Sequence, residues 1–594
     1  MNIPENSNTN PLYTATHDDQ WEKQYRVHGT MFLQWEPVRN LVFKTNNSVE
    51  TTFGEGRRYW APDPGDTEGT LQVSTTQYVT LTTSNTATYN FSLADHNFRI
   101  MAGQEAMKRD YFYYYMYAPT VDAKIPYMNT ATSSTDQTGY GANYRTLLSF
   151  FGMFDYNFNN KYFLTASVRE DGSSLFGSEN QWGLFWSVGG SWNITNEAFM
   201  KPTRNWLSLL KLRASYGVNG NNNISPYRAY GVYASSAYNG GTGMLPSSPD
   251  NQSLSWEKNY TWNVGLDGGF FDNRLNFQFD VYDRKTTDML LSKQVPQTSG
   301  FSSNFMNIGS LKNNGVELQL DADIIRNRDL VWNVGFNFAY NKSKILDLGD
   351  TDEMTYADDS RIKHKVGERF YTFYLKDYYG VNPSTGAAIW RHHDITYKKD
   401  AEGNDTDEIE SDVVTLTSEY NKASYIYAGS PEPKYTGGFN TSLSWKGLNL
   451  SVFFEYKYGN KVLIIENRYI NSDGSQMSMN QSTRSLDYWK KAGDTGVFPM
   501  PKAGNSSNSY AMPSTRWLQD GSYLRVKDLT LSYNLPDTWM NAIHMKAVKV
   551  YVSALNLYTF HDVDFWDPER GLTGMGYGVY PMTKSFVGGV EVSF

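Results

Sequence analysis

The side chains best suited to chemistry in this chain are scattered, and none falls into a catalytic spacing. His392, His393 and Asp394 are adjacent, which would suit a metal ion or a general base. Successive residues of an extended chain point to opposite sides, however, so the three do not converge on one ion, and a surface loop is the expected setting. Two acidic stretches carry carboxylates of the kind that bind Ca2+: Asp347, Asp350, Asp352, Glu353, Asp358 and Asp359, then Asp400, Glu402, Asp405, Asp407 and Glu408. The calcium-loop pattern D-x-[DN]-x-[DN]-G is not met, because Gly403 precedes Asn404, so solvated acidic loops without metal or cofactor are expected. No Gly-x-Ser-x-Gly elbow, phosphate loop or zincin motif occurs, and nothing positive supports a glycosidase carboxylate pair, so the chain is read as no enzyme. The remaining candidate is YFYYYMY at Tyr111 to Tyr117, in a long connection after a strand predicted to end near Met107. Flat rings with hydroxyls suit sugars or apolar peptide side chains, making Tyr113, Tyr115 and Tyr117 candidates for substrate or partner contact. Packing within a loop or an interfacial girdle is the alternative.

What must position these residues is legible in composition and periodicity. In 594 residues, 15% are aromatic, with 44 Tyr and 16 Trp, while 19% are charged. That is too aromatic for an ordinary soluble domain and too poor in charge for a disordered acidic chain. Mean hydropathy is −0.57, and no apolar run reaches the roughly 18 residues of a membrane helix. If the chain sits in a membrane, it does so as strands, with Tyr and Trp collected at both interfaces. Cysteine is absent, which excludes disulfides and thiolate metal sites, and a net charge of −9 argues against nucleic acid. The polar start, Met1 to Asn10, has no basic-plus-apolar leader.

Segments of about ten residues alternate with period two. Leu448, Leu450, Val452, Phe454, Tyr456 and Tyr458 alternate with Asn449, Ser451, Glu455 and Lys457. Likewise Leu275, Phe277 and Phe279 alternate with Asn276, Gln278 and Asp280, the first set suited to lipid and the second to a polar interior. Seventeen such strands are predicted, starting near residues 27, 40, 86, 97, 148, 161, 182, 209, 259, 274, 315, 330, 436, 448, 523, 546 and 584. Tight links at Pro37 to Arg39, Ala94 to Asp95, Asn159 to Asn160, Asp272 to Asn273 and Lys446 to Gly447 join them as hairpins. Long segments, 108–147, 218–258, 285–314, 342–435 and 459–522, separate the hairpins. Short turns at one end and long loops at the other define an outer-membrane barrel, all-β and antiparallel. With the last strand, Ser585 to Phe594, descending to the periplasm, the first strand also descends. An even-numbered barrel cannot begin and end in the same direction, so the chain is expected to be an N-terminally truncated part of a single barrel domain.

Several stretches resemble the SusC/RagA group of TonB-dependent transporters of Bacteroidetes. They are YFLTASVREDGSSLFGSENQWGLFWSVGGSWNI from Tyr162, LKLRASYGVNGN from Leu210, SWEKNYTWNVGLD from Ser255, NIGSLKNNGVELQL from Asn307, GSPEPKYTGGFNTSLSWKGLNLSVFFEYKYGN from Gly429 and GSYLRVKDLTLSYNLP from Gly521. A final strand ending on Phe594 resembles the insertion signal of bacterial barrels. The resemblance implies an outer-membrane barrel of about 22 strands filled by a plug. The plug, the signal peptide and the first strands would then be missing here. It also implies uptake of a glycan or oligopeptide, a SusD-like surface lipoprotein as lid, and energy from the TonB complex. A soluble all-β carbohydrate-binding protein and a passive porin-like barrel are the alternatives.

Overall fold

A computed structural model describes residues 11–594 except 64–65, 132–136, 239–240, 357–358, 400–404, 477–478, 496–497, 504–511, 543 and 577–580. Among the described residues the main sheet has 17 strands. They are β1 (Asp19–Val38), β2 (Leu41–Trp60), β3 (Glu68–Leu93), β4 (His96–Asp122), β5 (Gln137–Phe158) and β6 (Tyr162–Ser173). There follow β7 (Trp182–Asn193), β8 (Leu207–Asn221), β9 (Glu257–Phe270), β10 (Leu275–Thr287), β11 (Ser310–Arg326) and β12 (Leu330–Asp347). The last five are β13 (Tyr435–Trp445), β14 (Leu448–Tyr458), β15 (Tyr523–Asn534), β16 (Ala547–His561) and β17 (Ser585–Ser593). Each pairs antiparallel with its neighbours in sequence, and β1 and β17, which run in the same direction, pair only with β2 and β16.

The tight turns take left-handed backbone, mostly at Asn and Asp, which tolerate it. Asn40, Ala94, Asn159, Asn160, Asp272, Asn273 and Lys446 all have positive φ, with Gly447 completing the β13–β14 turn. The first hairpin thus turns at Arg39 and Asn40, overlapping the predicted link Pro37 to Arg39 only at Arg39. At the opposite end the connections are elaborate. Segment 348–434 carries a four-stranded and a three-stranded sheet of its own instead of an open loop. Two compact apolar clusters draw on these connections: Ile362, Phe373, Leu375, Leu463, Ile465 and Trp517 form one, and Leu175, Phe176, Leu254 and Trp256 belong to another.

The two faces of the wall differ as the alternation requires. On the outer face Phe277 lies over Gly268, its cross-strand partner, so that a Cβ at Gly268 would fall 2.1 Å from the ring. Tyr456 covers Gly437 in the same manner. Glycine inside a strand weakens it through lost packing and added backbone entropy, and a ring laid over the bare backbone restores the contact. Aromatic residues gather at both ends of this face: Tyr340, Tyr435 and Tyr458 near the long connections, and Phe91, Phe98, Phe158, Tyr162 and Trp192 near the turns. These are the two girdles of a membrane barrel. On the inner face Arg213 binds Asp267 at 2.7 Å and Asp280 at 3.0 Å, tying β8, β9 and β10 together. Gly265 leaves room for that guanidinium, since a Cβ there would sit 2.6 Å from its Nη2.

Candidate functional site on the inner wall

The strands are longer than their alternating segments, which changes where the tyrosine cluster lies. β4 continues to Asp122 and β5 begins at Gln137, so 108–147 is not one long loop and Tyr111 to Tyr117 is strand. Tyr113 and Tyr115 share a face of β4 with Glu105, which is bound by Arg169 on the polar inner side. Tyr117 stands on the same face two residues further up, opposite Gln72 and Gln137. Tyr113 covers Gly141 and Tyr115 covers Gly139. The rings are nearly parallel, at 6°, with centroids 6.4 Å apart. Tyr78 of β3, not among the candidates expected from sequence, joins the row by stacking on Tyr111 at 4.4 Å. Gln77, Tyr78 and Val79 show no polar–apolar alternation, and the register of Tyr78 against Tyr111 appears only in the fold.

A second inner-face feature is a cavity of about 520 Å³ at the same end of the wall. Its floor is Asn313 of β11, Asn341 and Ser343 of β12, Thr436 of β13, Lys457 of β14 and Tyr523 of β15. The connection after β16 folds inward to roof it. Arg525, fully buried, donates to Asp567 at 2.8 Å, to Glu569 at 2.8 Å and to the Thr559 hydroxyl at 2.9 Å. Arg570, also buried, binds Glu466 at 2.7 Å. Burial opposes ionisation of Glu569. A hydrogen bond from Lys457 and the charges of Lys457 and Arg525 outweigh it and hold the carboxyl below its ordinary range. Asn460, 6% exposed, also lines the cavity, and its Oδ1 has no hydrogen-bond partner among the described residues. The lining mixes amides, two phenols (Tyr371 and Tyr523) and paired charges with apolar side chains such as Leu311, Phe370 and Val462, which suits a ligand that presents both hydrogen-bonding groups and apolar faces.

The remaining candidates are engaged elsewhere. Asp350 pairs with Lys293, Glu353 with Lys363 and Asp359 with Arg361. Asp358, Asp400 and Glu402 lie outside the described residues, as do the side chains of Asp405 and Asp407. Among the described residues no three His, Asp or Glu side chains are grouped to hold a metal. His393 is in a strand of the hairpin 388–417, not a loop, and its two nitrogens meet Asp412 at 2.9 Å and Asp377 at 3.1 Å. Burial lowers its pKa, and the two carboxylates raise it by more, for a net rise. His392 points elsewhere, as extended geometry requires. Asp377 is the partner that sequence could not supply, since it belongs to another strand region.

Antiparallel strands joined in order, lipid-type aromatic girdles outside, charge-paired polar groups inside, and elaboration at one end define the wall of an outer-membrane β-barrel. The TonB-dependent receptor-like β-barrel family model matches residues 2–441, and the chain belongs to that family. It is of the SusC/RagA type, which are outer-membrane receptors and not enzymes. The chain is 29% identical to the TonB-dependent receptor P3 of Formosa agariphila over 98% of its own length and 60% of that protein's. It is 30% identical to the TonB-dependent receptor SusC of Bacteroides thetaiotaomicron over 77% of its length and 45% of the relative's. The solved RagAB peptide transporter superposes with a TM-score of 0.87 at 29% identity, over 98% of this chain and 63% of that one. The chain thus spans about half to two thirds of the proteins it matches.

Proposed function

We propose that this chain is the wall of an energy-coupled importer that takes up a glycan or oligopeptide. A SusD-like surface lipoprotein closes over the end bearing the long connections, and the TonB complex supplies the work. The observation that carries this reading is the roofed cavity of mixed polar and apolar lining on the inner face at that same end, where cargo released by a lid would first meet the wall. Its amides and fixed charges offer hydrogen bonds in place of water, which a passive pore has no need to arrange. The resemblance to SusC and to the RagAB peptide transporter supports both partner and energy source.

The test is to tag the whole protein in its native outer membrane, extract it in mild detergent and identify what is retained. A stoichiometric surface lipoprotein, together with uptake that stops when TonB is deleted, is the expected result. Uptake that persists without TonB would make this a passive porin-like barrel.

A further inference from the structure

The upper inner wall between β3 and β5 carries an arrangement that the importer reading does not use. Two residues of a strand span about 6.7 Å. The 6.4 Å separation of the near-parallel Tyr113 and Tyr115 rings matches that repeat. The rings therefore lie side by side along β4 like tiles, each seated against its own cross-strand glycine on the inner side of the wall. Tyr111 continues the surface at 5.9 Å and 25°, with one of its own faces stacked on Tyr78 at 4.4 Å. Such a row offers several adjacent aromatic faces at fixed spacing, a surface that fits the flat apolar faces of successive pyranose rings.

One step along the same face, Arg109 and Arg145 are directly opposed across β4 and β5. Like charges in that relation lie about 5 Å apart at Cβ and repel. Among the described residues their hydrogen bonds go to neutral oxygens: Arg109 Nε donates to the Thr80 hydroxyl at 3.2 Å and Arg145 Nη2 to Asn222 Oδ1 at 2.9 Å. Among the described residues neither meets a carboxylate within ion-pair distance. Two acids on this face are held by others, Glu105 by Arg169 at 3.1 Å and Glu50 by Arg26 at 2.5 Å. In a chain of net charge −9, an adjacent pair of arginines without an acid is the complement of an anionic group, which guanidinium forks bind bidentately.

We propose that Tyr111, Tyr113 and Tyr115 together with Arg109 and Arg145 form a subsite for an acidic glycan. Its pyranose rings lie on the tyrosine tiles while a uronate carboxylate or a sulfate ester rests between the two guanidinium groups. The inference rests on the importer reading only in that cargo must pass this wall. An acidic peptide would engage the arginines but has no run of flat rings to match the tiles.

The test measures binding to the whole protein in detergent by titration calorimetry. The probes are an oligogalacturonate, a sulfated galactan oligosaccharide, a neutral malto-oligosaccharide and an oligoglutamate peptide. At least one acidic oligosaccharide is expected to bind about tenfold or more tighter than the neutral one, and which one binds tells carboxylate from sulfate. The Arg109→Gln, Arg145→Gln double variant should lose that preference. Tyr113→Ala with Tyr115→Ala should weaken binding about tenfold, and the corresponding Phe variants should restore it. A heat-modifiable band in each variant shows that the barrel is folded. Absence of acidic-oligosaccharide binding, equal binding of acidic and neutral sugars, or oligoglutamate binding as tightly and indifferent to the tyrosines would overturn the subsite. If lipoprotein capture and TonB-dependent uptake persist in that case, the importer reading stands without it.

Discussion

Tyr113 lies flat over Gly141, its cross-strand partner, so closely that a Cβ at position 141 would fall 2.0 Å from the ring's Cε1. The same relation joins Tyr115 to Gly139 one repeat away. Substituting Ala for Gly141 must lift the Tyr113 ring and break the tiled row. Overpacking of this kind costs about 1–3 kcal/mol, here concentrated in the upper β4–β5 hairpin. Hydrogen exchange of 137–145 should rise in Gly141→Ala, and unchanged protection would show that the ring is not seated on the glycine.

Phe277 tests the face assignment. Placing Arg there, on the outer surface above Gly268, should destabilise the barrel in lipid by roughly 2–4 kcal/mol if it lies near mid-membrane. Substituting Asn for Gln278, its inner-face neighbour, should be nearly neutral. Equal effects at the two positions in denaturant titrations of lipid-embedded protein would reverse or abolish the assignment.

Arg525 should hold the cavity roof. Its guanidinium meets Asp567 and Glu569 with no exposure to solvent, and removing one partner of a buried ion pair typically costs about 3–5 kcal/mol. In Arg525→Met the stretch 562–576 should detach from the inner wall and become sensitive to protease from outside, with the strands intact. Undiminished resistance would mean that the roof is held by other contacts.

His393 gives the outer hairpin a pH dependence. Its folded pKa is raised above the ordinary 6.5, so the stabilisation from Asp377 and Asp412 is fully present below that value. It is lost as pH rises through the higher folded value. Arg391, which also binds Asp377 at 3.2 Å, moderates the loss because it stays charged throughout. Limited proteolysis of 388–417 should accelerate from pH 6 to pH 8 in the native protein, and His393→Gln should flatten the profile. A profile unchanged by that substitution would remove His393 as its origin.

The wall was largely readable from period-two alternation, and β7, β12, β14 and β15 begin at the residues where the pattern begins. It failed where both faces share one character. β3 starts at Glu68 instead of near 86 because LQVSTTQYVTLTT is Thr-rich on either side, and the upper half of β4 is aromatic on either side. Neither half shows the contrast on which the period depends, although β-branched and aromatic residues favour strands. The cavity was not readable at all. Asn313, Asn341, Lys457, Tyr523 and Glu569 converge only after the strands register and Arg525 draws the last connection inward. The opposed Arg109 and Arg145 are likewise a property of register, 36 residues apart in sequence and adjacent in the sheet.

The orientation of the wall is the claim on which everything else depends, and the absence of cysteine makes it directly measurable. Single-cysteine variants at Thr396, in the outer hairpin, and at Asn160, in the β5–β6 turn, can be treated with a membrane-impermeant maleimide on intact cells. Thr396→Cys should be labelled at once, and Asn160→Cys only after the outer membrane is permeabilised. Labelling of both in intact cells, or of Asn160→Cys alone, would contradict a barrel whose long connections face outward.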